Sequence, residues 1–398
     1  MKVETKLGYQ TKVLDGNRAA AYGVMLCQPD VICAYPITPQ SEILEQLYLF
    51  QAQGLLDAQM VEVESEHSAM GALRGASAAG ARTFTATAAQ GLAFMFENCI
   101  NVATTRLPIV MVNVCRQMIA PHVINCSHED IMMAKEMGWI QIHSDTCQEI
   151  VDSVIMAYRL AEDPEIRIPV VVCHDGYFLS HLWEPVEIPP VEKAQGFLQP
   201  LTMSPKIDPR VSVTLGPAVP GEMGTKLRYT QSVAIQRAKE KFDQIDEEFE
   251  EVFGRSHGGQ LEEYRMEDAD LVIIAMGSCV GTAKVAVDRK REEGIKIGLI
   301  KIRMFRPFPC EKLASAIRGR KGVGVLDRSI SLGWGLGHIF VELKAALQTS
   351  NVDMPILDFI CGLSNMDITI ESLERIIDMM SEAVRGGSYK EVTWIDLE

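Results

Sequence analysis

The ten cysteines of this 398-residue chain include no CxxC pair and no Cys/His set with metal-ligand spacing. Their scatter argues against a disulfide framework, a zinc site or iron–sulfur ligation on this chain, and it fits a reducing, cytoplasmic setting. Most lie in apolar runs, as Cys33, Cys115 and Cys173 do, where a small buried hydrophobe is the ordinary role. Basic clusters are missing too. With a net charge of −15, nothing tracks a phosphate backbone, which argues against a nucleic-acid partner. MKVETKLGYQTKVLDGN carries no apolar stretch of the secretory kind, and no uninterrupted apolar run reaches bilayer length. There is no P-loop pattern, no GxGxxG, no internal repeat and no low-complexity segment.

What remains is an ordinary globular composition, 47% hydrophobic and 23% charged, in a chain long enough for two or three domains. The first two-thirds alternate short apolar runs with helical patterns. VICAY precedes a helix from about Ser41 to Gln53, and MVEVESE precedes HSAMGALRGASAAGA. TFTATA, LPIVMVNV, GWIQIHS and IPVVVCHDG follow, with helices between them; the one around Met95 and Cys99 reads as core. Such alternation predicts a parallel, doubly wound sheet covered on both faces. From Trp183 to Thr230 the pattern gives way to proline and glycine, which predicts a connector wrapped on a surface. A helix from about Tyr229 to Phe253 follows, its acidic run DQIDEEFEEVFG reading as a solvated face. A second α/β unit begins near Tyr264 with DLVIIAMGS, IKIGLIKIRMF and VGVLDRS as strands.

AYPITPQSEI, from Ala34 to Ile43, sets Pro36 and Pro39 around Ile37 and Thr38 at the end of an expected strand. Two fixed φ angles stiffen the turn and hold Thr38 extended, at the sheet edge where parallel folds put their chemistry. The alternative is a plain strand-to-helix turn. Glu66 meets a helix of Ala, Gly and Ser, which lets another surface approach its backbone. Its carboxylate either complements the helix dipole or hydrogen-bonds a ring nitrogen of a bound heterocycle. MGSCVGTAK reads as a glycine turn that could cradle a phosphate, and DRSISLGWGLG as a turn or a partner-facing surface.

YPITP, VESEHSAMGALRGASAAGARTFTATAAQG, RLPIVMVNV and IKIGLIKIRMFRPFP resemble, in that order, the α subunit of 2-oxoacid:ferredoxin oxidoreductases of the pyruvate type. The resemblance runs from about Val13 to Met379. It implies an α/β chain: a thiamine diphosphate enzyme's pyrimidine-binding domain over 1–183 and a connector with helix over 184–264. A transketolase C-terminal-like domain completes it over 265–398.

The resemblance also assigns residues. Glu66 is the catalytic carboxylate on the pyrimidine ring, with Pro36, Gln90 and Gly91 as further cofactor contacts. Thr38 and Arg116 hold the carboxylate of a 2-oxoacid, and Ile37 and His122 complete the substrate side. A hydroxyl beside a guanidinium suits that task, because arginine stays charged and bonds both oxygens. Between Pro121 and the HxD, the family commonly has an aromatic and a small-plus-acidic pair, where this chain has His122, Asn125 and Cys126. The departure leaves the substrate open among pyruvate, branched-chain, aryl (phenylglyoxylate) and oxalate alternatives. No GDG followed by Asn is present to hold Mg2+ and the diphosphate. Those needs, and the iron–sulfur clusters, fall to a β subunit, with γ and δ subunits or equivalents, ferredoxin as acceptor and CoA as co-substrate. A scaffold subunit without catalysis and a transketolase-like enzyme without redox partners are the competing readings.

Overall fold

In the computed structural model, which describes residues 8–348 and 354–397, two largely parallel sheets carry most of the chain. Residues 1–7, where MKVETKLGYQTKVLDGN begins, and residues 349–353 and 398 of the expected last domain lie outside the described residues. The first sheet has seven strands, in the order Met304–Arg306, Ile140–His143, Val170–Asp175, Val110–Cys115, Thr83–Thr87, Val31–Cys33 and Gln59–Val61. Met304–Arg306 is antiparallel to its neighbour, and the other pairs are parallel.

Both faces are covered, which is why the central strands are buried at every position, polar residues included. Helices Gly16–Cys27, Ser41–Ala52 and Cys147–Ala161 lie on one face, sharing a core with Leu47, Phe50, Val151 and Ile155. Glu66–Ala78 and Ala89–Thr104 cover the other, around Met70, Leu73, Met95 and Cys99. The second sheet, six-stranded, runs Val392–Trp394, Ile356–Ile360, Gly322–Asp327, Leu271–Ala275, Ile297–Ile302 and Leu261–Tyr264. No helix among the described residues is long and apolar enough to cross a membrane.

Three local expectations change. The long helix spans Gly221–Phe253, starting eight positions before Tyr229. Its glycines lower intrinsic helix propensity, but Pro220 stands before the first turn with φ −58, a start that proline favours. MVEVESE contributes a strand only over Gln59–Val61; the remainder runs to Ser65, whose side chain caps the next helix by accepting from Ser68 N. IKIGLIKIRMF divides between the two sheets, Ile297–Ile302 in the second and Met304–Arg306 in the first.

That division needs Lys301 and Arg303 buried between the sheets, and acids are waiting for them. Lys301 Nζ donates to Asp145 Oδ1 and Glu149 Oε2, each at 2.7 Å. Arg303 donates to Glu149 Oε1, to Asp246 Oδ1 at 3.0 Å and to Gly259 O at 2.8 Å. Burial works against the charge of Glu149, but Lys301 and Arg303 outweigh it and hold the carboxyl well below its ordinary value. Removing Glu149 takes away the acid that Lys301 and Arg303 share and leaves two buried cations on Asp145 and Asp246. Glu149→Ala is therefore expected to cost about 3–5 kcal/mol, read as a lowered chemical-denaturation midpoint. An unchanged midpoint would show that the network does not join the sheets.

A second buried acid pair has the opposite sign. Asp327 accepts from Ile339 N and Phe340 N at the start of helix His338–Leu347, and Asp358 accepts from Gly337 N at 2.6 Å. Burial pushes both carboxyls up, Asp358 to about 6, and the Asp358 charge pushes Asp327 further. A raised folded-state value stabilises below the unfolded value and loses that contribution as pH rises through the folded one. Asp358→Asn is expected to raise stability at pH 8 by roughly 2 kcal/mol. Thermal melts at several pH values should find the gain fading toward pH 4; an equal gain at pH 4 and pH 8 would rule the titration out.

Candidate active site

The sheet order reverses beside Val31–Cys33. Its neighbours are Gln59–Val61 on one side and Thr83–Thr87 on the other, and the helices that follow Val31–Cys33 and Thr83–Thr87 pack on opposite faces. Chain leaving the two strands in opposite directions opens a crevice at their C-terminal ends, where doubly wound sheets bind ligands. YPITP, the Ala88–Gly91 turn and the loop from Arg116 emerge there from neighbouring strands.

Glu66 is the first residue of helix Glu66–Ala78 and is 7% exposed. Its side chain reaches across to Gly91 in helix Ala89–Thr104. A Cβ on Gly91 would stand 2.6 Å from Glu66 Oε1 and 2.5 Å from Thr87 Oγ1, so only glycine admits this carboxylate. Thr87 Oγ1 is buried with no hydrogen-bond partner. A buried carboxylate beside an unsatisfied hydroxyl fits a heterocycle carrying both a ring nitrogen and polar substituents. Gln90 is half-buried in the same turn and Pro36 is exposed across the crevice.

The structure brings Thr38 and Arg116 together. Arg116, 8% exposed, donates from Nη1 to the Thr38 carbonyl at 3.0 Å and from Nε to the Val123 carbonyl at 3.1 Å. Its Nη2 makes no hydrogen bond among the described residues, and the Thr38 side chain is exposed. The YPITP turn is tied down from behind: Asn17 Nδ2 donates to Pro39 O at 2.6 Å, and Gln40 N donates to Ile37 O at 2.7 Å. Ile37 is half-buried against the first core. His122 is exposed, next in the chain to the Val123 carbonyl that holds Arg116.

Asp130, which no reading of the sequence singled out, ties these loops to one another. Fully buried, its Oδ2 accepts from Ala89 N at 3.0 Å, Asn113 Nδ2 at 3.1 Å and Arg116 N at 3.1 Å, and Oδ1 accepts from Ile131 N at 2.8 Å. Burial raises its carboxyl, and the surrounding N–H groups oppose the rise. One side chain thus spans the Glu66/Gly91 side and the Arg116 side. Its signal in the sequence is the HxD that closes the loop after Pro121.

The MGSCVGTAK turn does hold an anion, but the anion is a side chain of the first sheet. Gly277 takes φ +78, open to glycine, and Ser278 donates to Asp175 Oδ2 from N at 3.0 Å and from Oγ at 2.6 Å. The phosphate reading of this turn is therefore corrected: the Asp175 carboxylate fills it. Arg328 also donates to Asp175, and His128 Nε2 lies 2.9 Å from its Oδ1. Burial opposes the Asp175 charge, but Arg328 and His128 hold its carboxyl well below the usual range. Cys126, His128 and Asp175 approach within 4.8 Å of one another, and the Arg328 guanidinium supplies the positive charge beside them. DRSISLGWGLG forms a hairpin, Ile330–Ser331 with Leu336–Gly337, whose tip leaves Leu332 87% and Trp334 73% exposed.

A crevice with a buried carboxylate on a small-residue helix, followed by a second parallel α/β domain, defines a thiamine diphosphate enzyme of the transketolase type of architecture. Residues 22–247 match the model of the pyruvate flavodoxin/ferredoxin oxidoreductase thiamine diphosphate-binding domain, and residues 269–373 that of the pyruvate:ferredoxin oxidoreductase core domain II. The chain belongs to this family of thiamine diphosphate-dependent oxidoreductases.

Among its relatives, the pyruvate synthase subunit PorA of Methanosarcina barkeri is 40% identical over 97% of this chain and 96% of its own. The ketoisovalerate oxidoreductase subunit VorA of Pyrococcus horikoshii is 41% identical over 97% and 98%, and the NADH-dependent phenylglyoxylate dehydrogenase subunit alpha of Aromatoleum evansii 38% over 99% and 97%. The solved 2-oxoglutarate:ferredoxin oxidoreductase of Magnetococcus marinus shares the fold at TM-score 0.72 and 20% identity; the match covers 94% of this chain and 65% of that one.

Proposed function

We propose that this chain is the α subunit of a heteromeric 2-oxoacid:ferredoxin oxidoreductase that converts a 2-oxoacid and CoA to an acyl-CoA and CO2. The observation that carries the reading is the Arg116–Thr38 contact on strand ends beside the Glu66 carboxylate. Thiamine diphosphate bound there supplies the electron sink for cleavage next to the keto carbon. Glu66 holds a proton at the pyrimidine's remote ring nitrogen, with Pro36, Gln90 and Gly91 lining the ring. Arg116, through its uncommitted Nη2, and the Thr38 hydroxyl orient the substrate carboxylate, with Ile37 and His122 on the substrate side. Preorganisation of this kind converts binding into rate.

A partner β subunit holds Mg2+, the diphosphate and at least one iron–sulfur cluster, and γ and δ chains or equivalents carry electrons to ferredoxin. A cytoplasmic location accords with ten free cysteines, nine of them buried. The three domains span 1–183, 184–264 and 265–398, with Leu261–Tyr264 joining the sheet of the last. The substrate side chain is uncharged, pyruvate first. From Gln117 to Ser127 the loop holds no lysine or arginine, so a second carboxylate has no cation of this loop to meet. Branched-chain and aryl 2-oxoacids remain the alternatives.

The test is CoA-dependent viologen reduction by the anaerobically isolated complex. Pyruvate, 2-oxoisovalerate or phenylglyoxylate should support turnover; 2-oxoglutarate and oxalate should not. Preference for a dicarboxylate would refute the charge argument, and no turnover with any of the five would favour a scaffold subunit.

A further inference from the structure

The loop that carries Arg116 is gripped at both ends by the second domain. At its start, Gln117 is 3% exposed, and its Oε1 accepts from Ser364 N at 2.8 Å and from Ser364 Oγ at 2.9 Å. Gln117 N donates to Asn125 O at 3.1 Å, closing the loop on itself. At its far end, His128 N donates to Arg328 O at 2.9 Å, and the His128 ring joins Arg328 on Asp175. Between the two grips lies a cavity of about 720 Å³, lined by Met118, Ile119 and Glu129 from the loop side and Leu332, Leu363 and Met366 from the other. The middle of the loop therefore faces the second domain across open space and polar contacts at its ends tie it to that domain, while Met118 and Cys126 pack on the cores of the first sheet.

The backbone at the first grip is unusual. Ser364 and Asn365 take φ +50 and +76 in succession, a conformation that side-chain-bearing residues seldom adopt and that persists where surrounding contacts hold it. Among the described residues, the hydrogen bonds that Ser364 makes are the two to Gln117. Gln117 Oε1 is thus held by the second domain while the Gln117 backbone is joined to Arg116.

We infer that Gln117, held by Ser364, is a positioning residue that aims the Arg116 guanidinium at the substrate carboxylate, an inference that rests on the reading of Arg116 given above. The second domain then bears on substrate binding through Gln117. Gln117→Met keeps the volume and removes the acceptor. Ser364→Gly suits the backbone and removes one of the two donors at an exposed position.

In the assembled complex, Gln117→Met is expected to raise the KM for the 2-oxoacid about tenfold while kcat falls less than threefold. Ser364→Gly should raise KM about threefold, in the same direction. The KM for CoA should stay at the parent value throughout, which a general loss of structure would not allow. Arg116→Ala is measured beside them. If Arg116→Ala loses turnover but Gln117→Met and Ser364→Gly both keep the parent KM, the positioning role is overturned. An Arg116→Ala complex with the parent KM would overturn the substrate reading instead. If Gln117→Met does not assemble, Ser364→Gly decides alone.

Discussion

Arg116→Ala in the assembled complex is expected to lower kcat/KM for the 2-oxoacid by about 100- to 1,000-fold. That is the size of losing a charge-assisted contact, made here through the uncommitted Nη2, in a water-poor site. The loss should fall mainly on KM, because a carboxylate that does not react is held alike in ground and transition states. Arg116→Lys restores charge without the planar fork and should recover only part. The fold explains why little else could substitute. Arg116 N sits on Asp130, and its Nε and Nη1 sit on the Val123 and Thr38 carbonyls, so the guanidinium is aimed before substrate arrives. Steady-state kinetics with the preferred 2-oxoacid checks this, and parent-like KM and kcat in the alanine variant would remove Arg116 from the site.

Glu66→Gln should have the larger effect on kcat, a fall of about 100- to 10,000-fold, the range for losing a positioned acid–base group. Glutamine fills the same space beside Gly91 and Thr87 Oγ1, so the variant tests the carboxyl's proton and leaves packing alone. The KM for the 2-oxoacid should change little, in contrast to Arg116→Ala. The two substitutions should thus separate along kcat and KM. Rapid turnover by Glu66→Gln would mean that the carboxylate serves only the start of its helix.

Some of this site could be read from the residues. Two prolines around Ile37 and Thr38 announce a stiff turn, and Glu66 before a run of Ala, Gly and Ser announces a helix start that another surface can approach. These are local signals, carried by neighbours in the chain. What could not be read depends on distant partners. Asp130 matters because it meets Ala89 N and Arg116 N, and nothing in HED specifies either backbone group. The Gly277–Ser278 turn looks like an anion cradle and is one, but only the folded chain supplies Asp175 to fill it. Lys301 and Arg303 are the charged residues of an otherwise apolar run; their burial with Glu149 between two sheets is a tertiary outcome. The helix start at Gly221 was hidden by two glycines of low propensity, and Pro220, not burial, opens it, since residues 221–230 are almost all exposed.

The account's central claim is that one crevice of this chain carries both the cofactor's proton-holding carboxylate and the substrate's carboxylate clamp. A structure of the complex with thiamine diphosphate and its 2-oxoacid bound tests it most directly. The account predicts Glu66 within hydrogen-bond distance of the pyrimidine's remote nitrogen, and Arg116 with the Thr38 hydroxyl on the substrate carboxylate. A substrate carboxylate held by other groups, with Arg116 bonded only to the Thr38 and Val123 carbonyls, would contradict it.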